Sequence, residues 1–152
     1  MNKAKSLIIG VIVLVLIYAY RVFEASKTLV FGAGKISKVS LKNGTLSWLQ
    51  VVTITNGDFT PIPVRSVSIS NYIGSVFVGS SILQTPFVIS GSGVSLMPLL
   101  IQIPLTNLFA TALSTYQQIK NGSMKMRFAG EISSIGVSIP LDQTFILNIP
   151  KF

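Results

Sequence analysis

Alternation of apolar and polar side chains is the feature that most restricts what this chain can fold into. In residues 123–132, SMKMRFAGEI, the apolar Met124, Met126 and Phe128 alternate with Lys125 and Arg127. A period of two places one set of side chains on a core and the other in solvent, as in antiparallel sheets. The same texture, rich in Val, Ile, Thr, Phe and Ser, recurs in residues 45–55, 63–73, 75–81, 93–103 and 143–149.

Turn signals separate these segments. Asn43-Gly44, Asn56-Gly57 and Asn121-Gly122 each stand between two periodic stretches, and both residue types tolerate the positive φ that tight turns need. The sequence therefore predicts a mainly β fold: an antiparallel β-sandwich, immunoglobulin- or fibronectin-like, of about seven or eight strands.

Parity within the first of these strands predicts a position for the only tryptophan. Trp48 shares a strand face with Leu46, Val52 and Ile54, and only Gln50 interrupts this apolar set. We expect Trp48 to pack inside the sandwich.

One segment departs from the period of two and indicates a late α-helix. In LTNLFATALSTYQQIKNG the apolar residues recur at steps of three and four, which places them on one helix face. This face comprises Leu105, Leu108, Phe109, Ala112, Leu113, Tyr116 and Ile119. We expect it to pack on the sheet, with a partner-binding face as the alternative.

The N-terminal run SLIIGVIVLVLIYAY, residues 6–20, predicts a single transmembrane anchor. Ten of its residues favour insertion and together contribute about −3 to −6 kcal/mol. These membrane-spanning residues are Leu7, Ile8, Ile9, Val11, Ile12, Val13, Leu14, Val15, Leu16 and Ile17. A buried strand would be shorter, and a cleaved signal peptide, the next alternative, would need a small residue where Phe23 stands. We expect an anchor over residues 1–25, a linker over 26–34 and the β-sandwich over 35–152.

Residues beside the run suit the two membrane interfaces. The expected interface residues are Lys3, Lys5, Tyr18, Tyr20 and Arg21. Lys3, Lys5 and the terminal amine precede the run, whereas Arg21 and Lys27 follow it, and an excess of positive groups marks the cytoplasmic side. The sequence thus favours an N-terminus inside and the domain outside.

The residues that usually carry catalysis or bind metals are scarce. The chain has no histidine and no cysteine, and its four carboxylates, Glu24, Asp58, Glu131 and Asp142, form no close pair in sequence. No serine stands in a Gly-x-Ser-x-Gly elbow. We therefore predict no catalytic, metal-binding or cofactor-binding residues, and no enzyme activity.

The positive charge does not indicate nucleic-acid binding. From position 24 onward nine Lys and Arg residues stand against four acidic ones, and they are scattered along the chain. Lys27, Lys35, Lys38 and Lys42 follow the apolar run closely, where anionic headgroups would attract them. We expect a lipid bilayer as a partner and no nucleic acid.

Several local markers resemble a known family. These are Asn56 before a Pro-Ile-Pro-Val strand (residues 61–64), VFVGS (76–80), Phe128-x-Gly130 and a closing SIPL (138–141). Over residues 35–149 the order of segments resembles the type 2 late-embryogenesis-abundant (LEA) proteins and the related water-stress-and-hypersensitive-response (WHy) domain. The family usually has Asn-Pro where this chain has Asn56-Gly57.

The resemblance implies a non-enzymatic β-sandwich, often attached to a membrane, with stress-protective, membrane-contact or lipid-handling roles. It supplies no catalytic residues. We expect a structural or interaction role at a membrane surface, with other proteins of a membrane-associated assembly as partners. The alternative is a minor, capsid-associated structural protein of a membrane-containing virus or phage particle, because strands with few charges suit a domain covered by neighbours. The sequence does not indicate the oligomeric state.

Overall fold

The computed structural model describes residues 2–148, the side chain of Ile119 excepted, and shows a mainly β protein. Its elements are α1 (Lys3–Ser26), β1 (Leu29–Lys42), β2 (Thr45–Asn56), β3 (Ile62–Val64), β4 (Ser66–Ile73), β5 (Val76–Leu83), β6 (Phe87–Ile89), β7 (Gly93–Pro104), α2 (Leu105–Leu108), a 3-10 turn (Phe109–Thr111), α3 (Ala112–Lys120), β8 (Ser123–Ser133) and β9 (Ser138–Asn148). The predicted fold class is confirmed. Met1 of the expected anchor, Ile149 of the last predicted strand and residues 150–152 of the expected domain lie outside the described residues.

Seven strands form one antiparallel sheet in the order β1-β2-β7-β5-β4-β8-β9. The sheet curls so far that its two edge strands, β1 and β9, approach each other. We call the end where α1 joins the sheet the basal end; β1 and β7 begin there and β2 ends there. The opposite end, with the β1–β2 turn and the helices after β7, is the distal end.

A small antiparallel sheet of β3 and β6 closes the basal end of the core. The chain crosses this end twice, once between β2 and β4 and once between β5 and β7, and each crossing contributes one short strand. Ile62, Val64 and Ile89 of these strands are buried. The basal end is therefore covered by protein, and α1 packs beside β3.

The core follows the predicted parity. Trp48 is 4% exposed, and Gln50, Val52 and Ile54 on the same face are fully buried. On β8 the apolar set of the alternation, Met124, Met126 and Phe128, is likewise buried, whereas Lys125 and Arg127 are exposed. Alternation along each strand thus fills the inside of the curl.

Two of the three Asn-Gly pairs make the expected turns. Asn43 and Gly44 have φ values of 51° and 71° in the β1–β2 hairpin, and Gly122 has a φ of 77° after α3. Asn56-Gly57 differs, because neither residue has a positive φ. Asn56 is instead buried at the end of β2, where it organises a longer loop.

The first strand begins earlier than the sequence indicates. Residues 29–34, for which we expected a linker, form the start of β1, and residues 29–33 pair with β2, so only two residues separate α1 from the sheet. The sequence did not predict this part of the strand, because it contains Gly32 and Gly34 and glycine is depleted in strands. Its pairing is irregular at two points, between Ala33 and Ile36 and between Ser37 and Ser40.

The late helix exists, but only the first part of the expected face packs against the core, at Leu108. Phe109, Leu113 and Tyr116 are all exposed, and Thr111 and Thr115 are buried in their place. The helix is interrupted by the 3-10 turn at Phe109–Thr111. A 3-10 turn advances about 120° per residue instead of about 100°, so three residues rotate the following stripe away from the sheet.

Candidate membrane-interacting site

The ten residues predicted to span a membrane lie on α1 and are exposed. Their exposed fractions range from 47% at Val13 to 71% at Leu7. With 24 residues, α1 is about 36 Å long, and a hydrocarbon core is ~30 Å thick. Within residues 2–148, α1 is the one helix long and apolar enough to cross a bilayer.

The predicted interface residues lie at both ends of the exposed apolar stretch. Lys3 and Lys5 are exposed in the first two turns, and Tyr18 and Tyr20 are exposed near the other end. Arg21 follows and is partly buried. About 24 Å along the helix axis separates the Cα atoms of Lys5 and Arg21.

The last two turns of α1 belong to the folded domain. Val22 and Ala25 are fully buried and join the domain core. The Thr28 hydroxyl donates to the carbonyl oxygen of Ala25 (2.8 Å), and the Thr28 N–H donates to the same oxygen (3.0 Å). The end of α1 is therefore fixed against the domain by packing and hydrogen bonds.

Asn56 holds the loop between β2 and β3 beside this helix end. Its Nδ2 donates to the carbonyl oxygen of Thr60 (2.9 Å), and its Oδ1 accepts from the Asp58 N–H (2.9 Å). The Thr28 hydroxyl lies 3.3 Å from the same Oδ1. One buried amide thus connects the loop, the start of β1 and, through Thr28, the end of α1.

Phe59 projects from this loop toward α1. The guanidinium of Arg21 lies over the Phe59 ring, with Cζ 4.5 Å from the ring centroid. Phe59 nevertheless remains 72% exposed. Cations attract aromatic faces through the ring quadrupole. A second pair lies close by, with Lys27 Nζ 4.5 Å from the centroid of Phe23. Two cation–aromatic pairs therefore surround the junction of helix and domain.

Asp58 adds a negative charge to the same loop. The backbone N–H of Thr60 donates to its Oδ1 (2.8 Å), and this bond, aided by the Thr60 hydroxyl, lowers the pKa of Asp58 below its ordinary 3.8. The nearby positive charge of Arg21 lowers the pKa further. Asp58 is thus an ionised loop-ordering group at neutral pH.

A cleft of about 280 Å³ lies on the outer face of the sheet near the distal end. Its lining residues are Thr45, Phe77, Gly79, Ser80, Gln102, Pro104 and Asn107. These side chains offer amides and hydroxyls but no ionisable group for acid–base chemistry. Within residues 2–148 no three His, Cys, Asp or Glu residues converge as a metal site would require.

The sequence indicated the apolar run but missed the residues that join it to the domain. Val22 and Ala25 looked like the end of the span, and Asn56 looked like a turn residue. Phe59 lies outside every periodic segment, although an aromatic residue between two turn-forming residues is a signal for an exposed loop tip. The contact between Arg21 and Phe59 joins residues 38 positions apart, which periodicity cannot detect.

Comparison with known proteins supports the fold and is silent on function. No known protein family matches the chain by sequence. No curated protein matches it either. Among solved structures, a solution structure from Arabidopsis thaliana is similar over 80% of this chain and 82% of its own, with 14% identity and a TM-score of 0.59. At this identity the likeness shows a shared fold and nothing more.

Two further structures are similar in outline. A protein described as late embryogenesis abundant matches 97% of this chain and 88% of its own, with 15% identity and a TM-score of 0.48. A protein from Archaeoglobus fulgidus matches 82% of this chain and 97% of its own, with 12% identity and a TM-score of 0.47. Both TM-scores are too low to carry an argument. The class that the structure defines is a curled antiparallel β-domain with an apolar N-terminal helix.

Proposed function

We propose that this protein is a non-enzymatic, membrane-anchored β-domain with a structural or interaction role at a membrane surface. The observation that carries the proposal is the division of α1 into two parts. Residues 7–17 expose large apolar side chains, whereas Val22 and Ala25 of the same helix are fully buried in the domain. The C-terminal end of the helix thus packs in the domain, and its exposed N-terminal part is suited to an apolar environment.

The exposed part of α1 is so apolar that its contact with water is unfavourable. Contiguous exposed apolar surface of this kind marks a membrane or protein contact, and its residues favour insertion into a bilayer. A retained anchor is also favoured over a cleaved signal sequence. Cleavage after Ala25, at the end of the predicted anchor, would remove Val22 and Ala25 and so uncover part of the core.

The partners of such a domain would be the bilayer and other proteins of a membrane-associated assembly. The excess of positive groups before the span favours an N-terminus inside and a domain outside. LEA-like protection or lipid contact is the cellular version of the role. A capsid-associated protein in the membrane of a virus or phage particle is the alternative version.

Alkaline carbonate extraction tests the anchor. The full chain should remain in the membrane pellet, and V13K/L14K should move it to the supernatant, because a charge in the middle of the span costs about 2.5–3.5 kcal/mol. The matched control is V39K/L41K, which changes two exposed apolar residues of β1 and should leave the protein in the pellet. Release of the unaltered chain at high pH would contradict the proposal.

Labelling and complex size test the orientation and the two versions of the role. Because the chain has no cysteine, N2C and N148C can be compared with an impermeant maleimide on intact cells. Only N148C should react. After gentle solubilisation, a fixed symmetric complex with coat-like proteins would favour the virus particle, and a monomer bound to lipid would favour the cellular role.

A further inference from the structure

The uncharged part of α1 is shorter than a bilayer. It extends from Ser6 to Tyr20, between Lys5 and Arg21, and is about 22 Å long. The hydrocarbon core is ~30 Å thick, which leaves about 8 Å unmatched. A short span is accommodated by thinning of the bilayer, by snorkelling of flanking charged side chains or by oligomerisation. Exposed apolar surface of the protein beside the helix can fill the same gap, because such surface marks membrane contacts.

The missing length falls where the domain begins. The unmatched 8 Å corresponds to about five helical residues, which are Arg21 to Ala25. Val22 and Ala25 are buried against the domain at this level. The domain surface beside this part of the helix, and not the helix alone, therefore meets the boundary of the hydrocarbon.

Exposed apolar side chains stand on that surface. Phe59 projects from the loop under Arg21, and Val30 is the second residue of β1, four positions after the end of α1. Val94 belongs to the same row, because Thr55 pairs with Val30 on one side and with Val94 on the other. All three apolar side chains are more than 60% exposed. We call Phe59, Val30 and Val94 the basal rim.

We propose that the basal rim is a second membrane-contacting element that seats the domain on the outer boundary of the hydrocarbon, with Phe59 inserted beside the helix. The proposal rests on the proposed membrane anchor. Arg21 then occupies the interface with its guanidinium over the Phe59 ring and its charge directed to the headgroups. The Phe59 ring then lies at the boundary of headgroups and acyl chains, where interfacial helices bury Trp, Phe and Leu.

The distal end provides a matched comparison. Phe109 is 74% exposed, much like Phe59 at 72%. It follows the distal end of β7, whereas Phe59 follows the basal end of β2. The two phenylalanines therefore differ in their position relative to α1 and not in residue type or exposure.

Tryptophan at each position reports contact with lipid. The full chain is reconstituted in phosphatidylcholine vesicles in the W48F background, so that F59W or F109W supplies the only tryptophan. We expect the tryptophan fluorescence of F59W to be quenched by brominated lipid and to be protected from aqueous iodide. F109W should show the reverse. Circular dichroism verifies the fold of each chain, and if W48F does not fold, a polarity-sensitive fluorophore on F59C and F109C replaces tryptophan, with a blue shift expected for F59C alone.

The outcomes separate this proposal from the anchor itself. If the chain resists carbonate extraction and iodide quenches F59W as strongly as F109W, the basal rim stands in water and the seating proposal is wrong, although the anchor stands. If carbonate releases the unaltered chain, the anchor fails and the seating proposal fails with it. Quenching of both chains by brominated lipid would also overturn the proposal, since the contact would not be confined to the basal end.

Discussion

Gly91 lies directly against the backbone carbonyl of Phe59. A Cβ at position 91 would overlap the Phe59 carbonyl oxygen and its carbon. A hydrogen bond from the Ser92 N–H to the Asp58 carbonyl oxygen (2.8 Å) joins the same two loops. The loop that carries Phe59 is therefore held from two sides, by Asn56 at the end of β2 and by the loop before β7.

Gly91→Ala should displace the Phe59 loop. We expect the free energy of unfolding to fall by about 1–3 kcal/mol, because the added methyl group has no space between two backbone segments. Gly93→Ala is the control, since the nearest atom to its Cβ is the Gly91 carbonyl oxygen at an ordinary 3.7 Å. Urea unfolding followed by circular dichroism measures both. Equal stability of the two variants would contradict the close approach.

Asn56→Ala should destabilise the junction of helix and domain. It removes the acceptor of the Asp58 N–H and the donor to the buried Thr60 carbonyl. Buried groups left without a partner cost about 1–3 kcal/mol each, so we expect a loss of at least about 1 kcal/mol. Asn148→Ala, at an exposed position on β9, should change the free energy of unfolding little. A loss at position 148 as large as at position 56 would refute the role of Asn56.

Trp48 should tolerate replacement by phenylalanine much better than by alanine. Trp48→Ala opens a cavity in the core and should cost about 3–5 kcal/mol. Trp48→Phe keeps most of the ring and removes an indole N–H that has no hydrogen-bond partner, so no bond is lost. Thermal melts compare the variants. A solvent-like emission maximum for the unaltered chain, whose only tryptophan is Trp48, would contradict its burial.

Removal of α1 should leave a folded but weaker domain. A chain beginning at Lys27 lacks the buried Val22 and Ala25, whereas a chain beginning at Arg21 retains them. Burial of a valine side chain contributes about 1.5–3 kcal/mol, and we expect the shorter chain to be less stable by roughly that amount. Chemical unfolding of the two chains in the same buffer measures the difference. Identical midpoints would mean that the end of α1 does not support the core.

Acid should weaken the Phe59 loop through Asp58. Because the folded state lowers the pKa of Asp58, its contribution to stability is complete above its unfolded pKa of about 3.8 and is lost as the pH falls through the lowered value. Asp58→Asn should therefore reduce stability at pH 7 and flatten the stability profile below pH 4. Glu131→Gln, at an exposed position on β8, is the control. An unchanged acid profile in Asp58→Asn would assign the acid response to other carboxylates, of which Asp142 has its own pKa lowered by the hydrogen bond from Arg127.

Local pattern predicted the strands and failed at two kinds of feature. Alternation located β2, β7 and β8 closely, because a strand face that fills a core must be apolar at every second residue. It missed the start of β1, where two glycines and two irregular pairings replace alternation. It also placed Phe109 and Leu113 inside, because a sequence does not reveal where a helix tightens into a 3-10 turn.

The candidate membrane-interacting site likewise contains residues that the sequence predicted and residues that it did not. The ten residues of the apolar run were evident from composition, and α1 places all of them on one exposed helix. The basal rim was not evident, because Val30 and Val94 are aligned only by sheet register and Phe59 lies in a separate crossing loop at the same end. Single exposed apolar residues are common on any protein surface, so their significance depends on the helix beside them.

The irregular edge of β1 bears on how densely such a domain can be packed. The proposed membrane tether would confine all copies to one plane with the same end toward the bilayer, so that like edges would meet far more often than in free solution. A flat edge would then recruit strands from neighbouring copies and nucleate aggregates. Here the two irregular pairings, a left-handed Lys38 with a φ of 51° and the approach of β9 interrupt that template. Copies of the domain could therefore be packed densely on a membrane without pairing their β1 edges.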